Sequence, residues 1–399
     1  MVNRFAEYFG LKRNILVMLA TILVVGLGEA LWLRFVPKYI ELLGGSVWAI
    51  AVYGTVHDFL DSVYQYPGGW LSDKLGRRKS LIFFTMLASL GYVVYIVSPR
   101  WEFLIAGLFL VMAWTSMSQP GLFAIVGDTL PPVQRSTGFG VLSILKRIPV
   151  VVAPVLGGWM ILQFGLGTGM RINLAVAVVL ALVSVLIVRR FYSEHEPEAG
   201  EERSFVGLWR SIDVRLKRLL VADCFARWAE GIPNVFIILY VLDVLKHDAL
   251  EFGSLTSVEM ITAIVVYLPV AKLSDRMHRK PFVMLTFSFF ALYPLALVTA
   301  TSTALLLAAF VVAGLREIGE PARKALIVDL AHPSARGRTI GLYYLLRGFA
   351  VFPASLVGGW LWSINKELPF YAAFVAGAVG VLIVGLWRFE DQSTQVTQQ

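Results

Sequence analysis

His57, Asp58 and Asp61 stand in the middle of an otherwise apolar run of this sequence, at i, i+1 and i+4. On a helix that spacing sets them on one broad face. Ionisable groups inside such runs are costly, so by default they mark a functional site, with simple partner pairing as the alternative. A carboxylate in a low-dielectric interior disfavours its charged form, and can then take up and release protons near neutral pH. The chemistry on offer is proton exchange. Glu29, in the preceding run, lies at a similar depth, with Arg34 nearer the end of that run and about 140° round the helix from it. Metal ligation by His57 is the weaker alternative, since the chain has five histidines and one cysteine, Cys224, and no thiol is near. A titrating or hydrogen-bonding histidine fits better.

More charges recur in later apolar runs. Lys146 and Arg147 lie about 17 Å along a helix from Arg135, and Arg347 follows Lys146 by 201 residues. Lys146 and Arg347 read as a pair of cations facing one central cavity. Asp223, Arg227 and Glu230 share a stripe at i, i+4 and i+7, and Glu259, Arg316, Glu317 and Glu320 follow. Asp223 with Arg227, and Arg316 with Glu320, read equally as ion pairs that hold helices together. The mid-depth acids are Glu29, Asp58, Asp61, Asp223, Glu230, Glu259, Glu317 and Glu320, against Arg34, Lys146, Arg147, Arg227, Arg316 and Arg347. Neither sign dominates, which points to a polar, zwitterionic or amphipathic small molecule rather than an apolar drug or a phosphate.

The elements that must position these residues are membrane-spanning helices. Of 399 residues, 57% are hydrophobic and 16% charged, and the mean hydropathy is +0.72, too apolar to cover a soluble core of this size. A span needs about 20 apolar residues. Such runs fall near 14–40, 47–71, 80–98, 102–127, 137–162 and 171–188, and again near 219–243, 252–273, 282–300, 303–326, 339–364 and 369–387. The expectation is twelve transmembrane helices. The net charge of +8 comes from Lys and Arg clustered between the runs on one face, which marks that face as cytoplasmic and excludes nucleic acid as a partner. The first run continues past Gly28 with no small-residue cleavage site, so it reads as a span rather than a signal peptide, with both termini cytoplasmic. No Gly-x-x-x-x-Gly-Lys-[Ser/Thr] loop is present to bind a nucleotide.

The chain is also duplicated. Pro120, Asp128, Arg135, Gly140 and Gly157-Gly158-Trp159 recur 201 residues later as Pro321, Asp329, Arg336, Gly341 and Gly358-Gly359-Trp360. Pro67 and Leu71-Ser72-Asp73 recur 202 residues later as Pro269 and Leu273-Ser274-Asp275, and Trp32 and Pro37 recur at 196 as Trp228 and Pro233. Six helices per repeat give both halves the same orientation, so the repeats are parallel and related by an axis along the membrane normal. The expected domains are an N-terminal six-helix bundle at 1–190, a cytoplasmic linker at 191–218 with a surface helix near 206–212, and a C-terminal six-helix bundle at 219–399.

The stretch from Gly68 to Leu81 resembles the loop between helices two and three of the major facilitator superfamily, through Gly69, Leu71, Asp73, Gly76, Arg77 and Arg78. The resemblance implies an all-α integral membrane fold of two six-helix bundles. It also implies rocker-switch transport of a small molecule, with no enzyme activity and a proton gradient in place of a cofactor. It assigns gating to Asp73, Arg77 and Asp128, and to their copies Asp275, Arg279 and Asp329. Ala153-Pro154-Val155-Leu156-Gly157-Gly158 looks like the end of the antiporter pattern of that family, with Ala153 replacing its leading glycine, so export comes first. The alternatives are a proton-driven importer of an organic anion or zwitterion, and a lipid-handling protein of the same fold. A monomer in the inner (plasma) membrane is expected, with the lipid bilayer and the solute as its partners.

Overall fold

Each expected apolar run carries a helix in the structure, a computed structural model that describes residues 13–118, 144–192, 213–274, 278–330 and 336–386. The expected linker helix near 206–212 lies outside the described residues. Among the described residues, eight helices, some of them joined across a turn, are long and apolar enough to cross a membrane, and Glu102–Met117, Ile148–Phe164 and Thr303–Leu315 are apolar but shorter. The helix Val47–Leu75 has the length, at 29 residues, but its middle carries His57, Asp58 and Asp61. The protein is an all-α, multi-span membrane protein. Its outward side chains agree with that: Val97, Leu186, Val265 and Leu382 are each more than 60% exposed, which suits a lipid-facing surface.

The chain separates into two compact units, one of residues 1–201 with 235–260 and the other of 202–234 with 261–399. In the first, α1 (Arg13–Trp32) leads through a 3-10 turn, Leu33–Phe35, into α2 (Val36–Leu42), which has Pro37 in its first turn, where proline needs no donor. Next come α3 (Val47–Leu75), α4 (Arg77–Val97) and α5 (Glu102–Met112), which runs on as a π-helical turn, Ala113–Met117. Then follow α6 (Ile148–Phe164) and α7 (Leu166–Phe191). Small residues let these helices close on each other: a Cβ on Gly28 would press on the Ala177 backbone, and one on Gly157 would meet the Leu31 carbonyl. Trp32 is fully buried, with Tyr92 and Tyr95 edge-on to it at 5.5 Å each.

The described part of the second unit opens with Asp213, whose carboxylate accepts from the Arg215 amide at 2.7 Å and caps α8 (Val214–Gly231). The Arg215 guanidinium on the same carboxylate holds it below the usual Asp range. Within the turn Asn234–Phe236 the chain passes to the first unit, which takes α9 (Ile237–Leu239), a second π-turn (Tyr240–Val244) and the start of α10 (Ala249–Ser274). The second unit resumes with the rest of α10, then α11 (Arg279–Val298), α12 (Thr303–Leu315), α13 (Glu320–Leu330), α14 (Arg336–Val351), α15 (Ala354–Ile364) and α16 (Leu368–Gly385). Leu216, Leu219, Ala222, Phe287 and Tyr343 form its core. The expected span at 303–326 is not one helix. Arg316 to Gly319 form a turn between α12 and α13, and the freed Gly319 amide donates to Thr286 Oγ1 at 2.6 Å. Such a break suits a spanning segment only where protein or a cavity shelters the backbone.

Candidate transport site

Helices α1, α3 and α5 of the first unit bring two of its acids to hydroxyl partners. Thr115 Oγ1 donates to Glu29 Oε1, and Ser116 Oγ to Asp61 Oδ1, both at 2.6 Å. His57 Nδ1 lies 3.1 Å from Asp58 Oδ1. Lys146 and Arg147 are half-buried where the chain turns into α6. Arg34, on the 3-10 turn, stands 3.8 Å from buried Glu259 of α10. Lys38 of α2 holds Glu41 and, at 2.7 Å, Asp243 of the second π-turn.

The second unit buries a denser network. Asp223 and Arg323 are each 1% exposed and in direct contact. Tyr343 Oη donates to Asp223 Oδ2 at 2.9 Å, and Arg347 Nη1 reaches the same oxygen at 3.3 Å. Arg323 Nε donates to Glu320 Oε2 at 3.0 Å, and Lys324 adds a second cation to that carboxylate. Arg227 donates to Glu230 at 2.6 Å and lies 3.6 Å from Glu320, and Arg316 approaches Glu230 from the helix break. Asp223 with Arg227, expected as a pair along one helix, is a loose 3.9 Å contact, and Arg323 from another helix does the neutralising. Three of the arginines also stand over rings: Arg316 is 4.6 Å from the Tyr293 centroid, Arg347 4.7 Å from Tyr344 and Arg227 5.3 Å from Phe290. Glu317 follows Arg316 in the turn between α12 and α13.

Several of these groups do not stand out in the sequence reading. Arg323 and Lys324 had a signal, being three and four residues beyond Glu320. Thr115 and Ser116 had none, since a hydroxyl in a spanning helix is usually satisfied by its own helix. Of the expected gating residues, Arg77 donates to Ser72 Oγ at 3.0 Å and Arg279 opens α11. Asp128 and Asp275, and the side chains of Asp73 and Asp329, lie outside the described residues.

A sequence profile of the Major Facilitator Superfamily matches residues 17–221 and 219–399, which together span nearly the whole chain. The chain belongs to the Major Facilitator Superfamily. It is therefore a membrane transporter of small molecules and not a member of an enzyme family. Among the superfamily's curated proteins, the multidrug resistance protein MdtH of Proteus mirabilis is 23% identical over 397 residues, covering 94% of this chain and 92% of that one. Two solved transporter structures share the fold. A POT family transporter in complex with 5-aminolevulinic acid has a TM-score of 0.74 at 14% identity, over 95% of this chain and 96% of that one. The human organic anion transporter MFSD10 has a TM-score of 0.66 at 15% identity, over 93% and 99%.

Proposed function

We propose that this facilitator is a proton-coupled secondary transporter that takes up an organic anion or zwitterion by alternating access. One observation carries the choice of solute. Among the described residues, the ion pairs of the second unit link five cations, Arg227, Arg316, Arg323, Lys324 and Arg347, to three carboxylates, Asp223, Glu230 and Glu320. Counting Glu317 as well still leaves one cation in excess. Of the mid-depth charges named from the sequence, four acids and three cations fall in the second unit; Arg323 and Lys324 reverse that balance there, and bring the whole set to eight of each sign. Arg227, Arg316 and Arg347 are the members with both a ring and some exposure, so they suit an incoming carboxylate, which a guanidinium grips through two parallel hydrogen bonds.

Proton coupling is assigned to Glu29, Asp58 and Asp61, and the helices are taken as twelve spans in two six-helix bundles, 1–190 and 219–399, joined by the linker 191–218. Asp73, Arg77 and Asp128, with Asp275, Arg279 and Asp329, serve as the inner lock. The named solutes of the structural relatives, an organic anion and 5-aminolevulinic acid, agree with this class. Export of an amphipathic compound is the second reading, favoured by the multidrug resistance relative.

Purified protein in liposomes separates them. An acidic exterior is expected to drive uptake of a labelled organic anion or zwitterion, and Asp61→Asn together with Glu29→Gln to abolish the pH-driven part. Accumulation driven only by an acidic interior would establish antiport and overturn the import direction. Transport unaffected by both substitutions would remove the coupling assignment.

A further inference from the structure

Helical serines and threonines of this protein mostly turn back on their own helix. Thr21 donates to the Val17 carbonyl at 2.8 Å, Thr85 to Leu81 at 2.7 Å, Ser89 to Thr85 at 2.8 Å, and Ser254 to Leu250 at 2.9 Å. Thr115 and Ser116 do otherwise. They are consecutive, so on an ordinary helix their side chains would point about 100° apart. The π-turn at Ala113–Met117 widens the helix there, and the two hydroxyls reach carboxylates on two different helices, Glu29 of α1 and Asp61 of α3. π-Turns of this kind often mark functional positions.

The turn is tightly held. Ala113, Trp114, Ser116 and Met117 are buried, the Ser118 hydroxyl bonds the Trp114 carbonyl, and a Cβ on Gly68 of α3 would strike the Met117 backbone. The duplicated half has its own irregularity at the matching place. Arg316 and Glu317 stand 201 residues after Thr115 and Ser116, the same offset as Pro120 to Pro321, and they occupy the break between α12 and α13. Both halves thus depart from α-helix at one repeat position, and in each the departure presents polar side chains.

We propose that Thr115 and Ser116 are positioning residues that hold Glu29 and Asp61 in one geometry, so that a single backbone turn senses the protonation of both carboxylates. When charged, each carboxylate accepts its hydroxyl's proton. Once protonated, it can donate instead, and the hydroxyl must rotate to accept. Because the two hydroxyls share adjacent peptide units, a change at one carboxylate is passed to the other through the turn. Other titratable or charged groups facing Glu29 are His57, Lys146, Tyr53 and Tyr92, and those facing His57 include Asp58 and Asp61.

The inference rests on the proton-coupling reading above, so its test needs no transport. Infrared difference spectra of the purified protein, titrated with pH, isolate the Glu29 carboxyl band as the one missing in Glu29→Gln and the Asp61 band as the one missing in Asp61→Asn. Thr115→Val removes one donor to the charged form, which is expected to move the Glu29 midpoint to higher pH and to displace the Asp61 band as well; Thr115→Ser is expected to restore both. Ser116→Ala gives the reciprocal result and serves if Thr115→Val fails to fold. Glu29 and Asp61 bands and midpoints unchanged in Thr115→Val and in Ser116→Ala would overturn the proposal. Shifted bands in a protein whose transport ignores pH would leave the proposal standing and sink the coupling reading instead.

Discussion

At the scale of single residues, Asp223 and Arg323 set the cost of the whole second-unit network, because neither has water to fall back on. Removing one member of a buried pair strands the other charge, at about 3–5 kcal/mol. Arg323→Ala is expected to lower the thermal unfolding midpoint in detergent by far more than Arg347→Ala, whose side chain is one-fifth exposed and only adds to a carboxylate already neutralised. Arg323→Lys should rescue little, since one ammonium cannot serve both Asp223 and Glu320 in the forked geometry of a guanidinium. Equal midpoints for Arg323→Ala and Arg347→Ala would refute this ranking. The sequence exposed the charges but not their partners: an ionisable residue in an apolar run is legible from hydropathy alone, whereas the partner of Asp223 lies 100 residues away on another helix.

At the scale of elements, the existence and order of the helices were legible because a bilayer forces long apolar runs, and the interruptions were not. The break at Arg316–Gly319, for one, leans on a tertiary partner, the Thr286 hydroxyl on the Gly319 amide. The duplicated Gly-Gly-Trp segment shows what periodicity can predict. Gly157 and Gly158 are buried like Gly358 and Gly359, while Trp159 and Trp360 face outward. A Cβ on Gly158 would drive into the Ala249 carbonyl, and one on Gly253 into that of Pro154, so α6 and α10 meet backbone to backbone. Gly158→Ala is therefore expected to destabilise by about 1–3 kcal/mol, the usual cost of overpacking. Gly341 of α14 has open space around its missing Cβ, and Gly341→Ala should be neutral or stabilising by up to about 1 kcal/mol, from helix propensity. Thermal midpoints of the two variants in one detergent test the opposite signs, and a destabilised Gly341→Ala with an unchanged Gly158→Ala would show the close approach to be absent.

At the scale of the whole molecule, the duplicated sequence and the packing divide the chain differently, and the difference bears on the transport cycle. The repeat puts residues 235–260 in the second half, yet they pack with the first unit, through Lys38 on Asp243, Arg34 on Glu259 and the Ser257 hydroxyl on the Val151 carbonyl. If the two repeats move as bundles, these contacts cannot survive the cycle; they must part for one state and close for the other. The Lys38–Asp243 pair suits that, because a partly exposed ion pair gives up little when water replaces it. The chain's one cysteine makes the idea testable in a clean background. With Cys224→Ser in place, Lys38→Cys and Asp243→Cys can be joined by a short cleavable bifunctional reagent, since the native side chains already meet at 2.7 Å. Cross-linking is expected to stop transport in liposomes and reductive cleavage to restore it, while each single-cysteine variant treated alike keeps its activity. Undiminished transport with the cross-link intact would mean that residues 235–260 stay on the first unit throughout, and that the moving boundary follows the packing rather than the duplication.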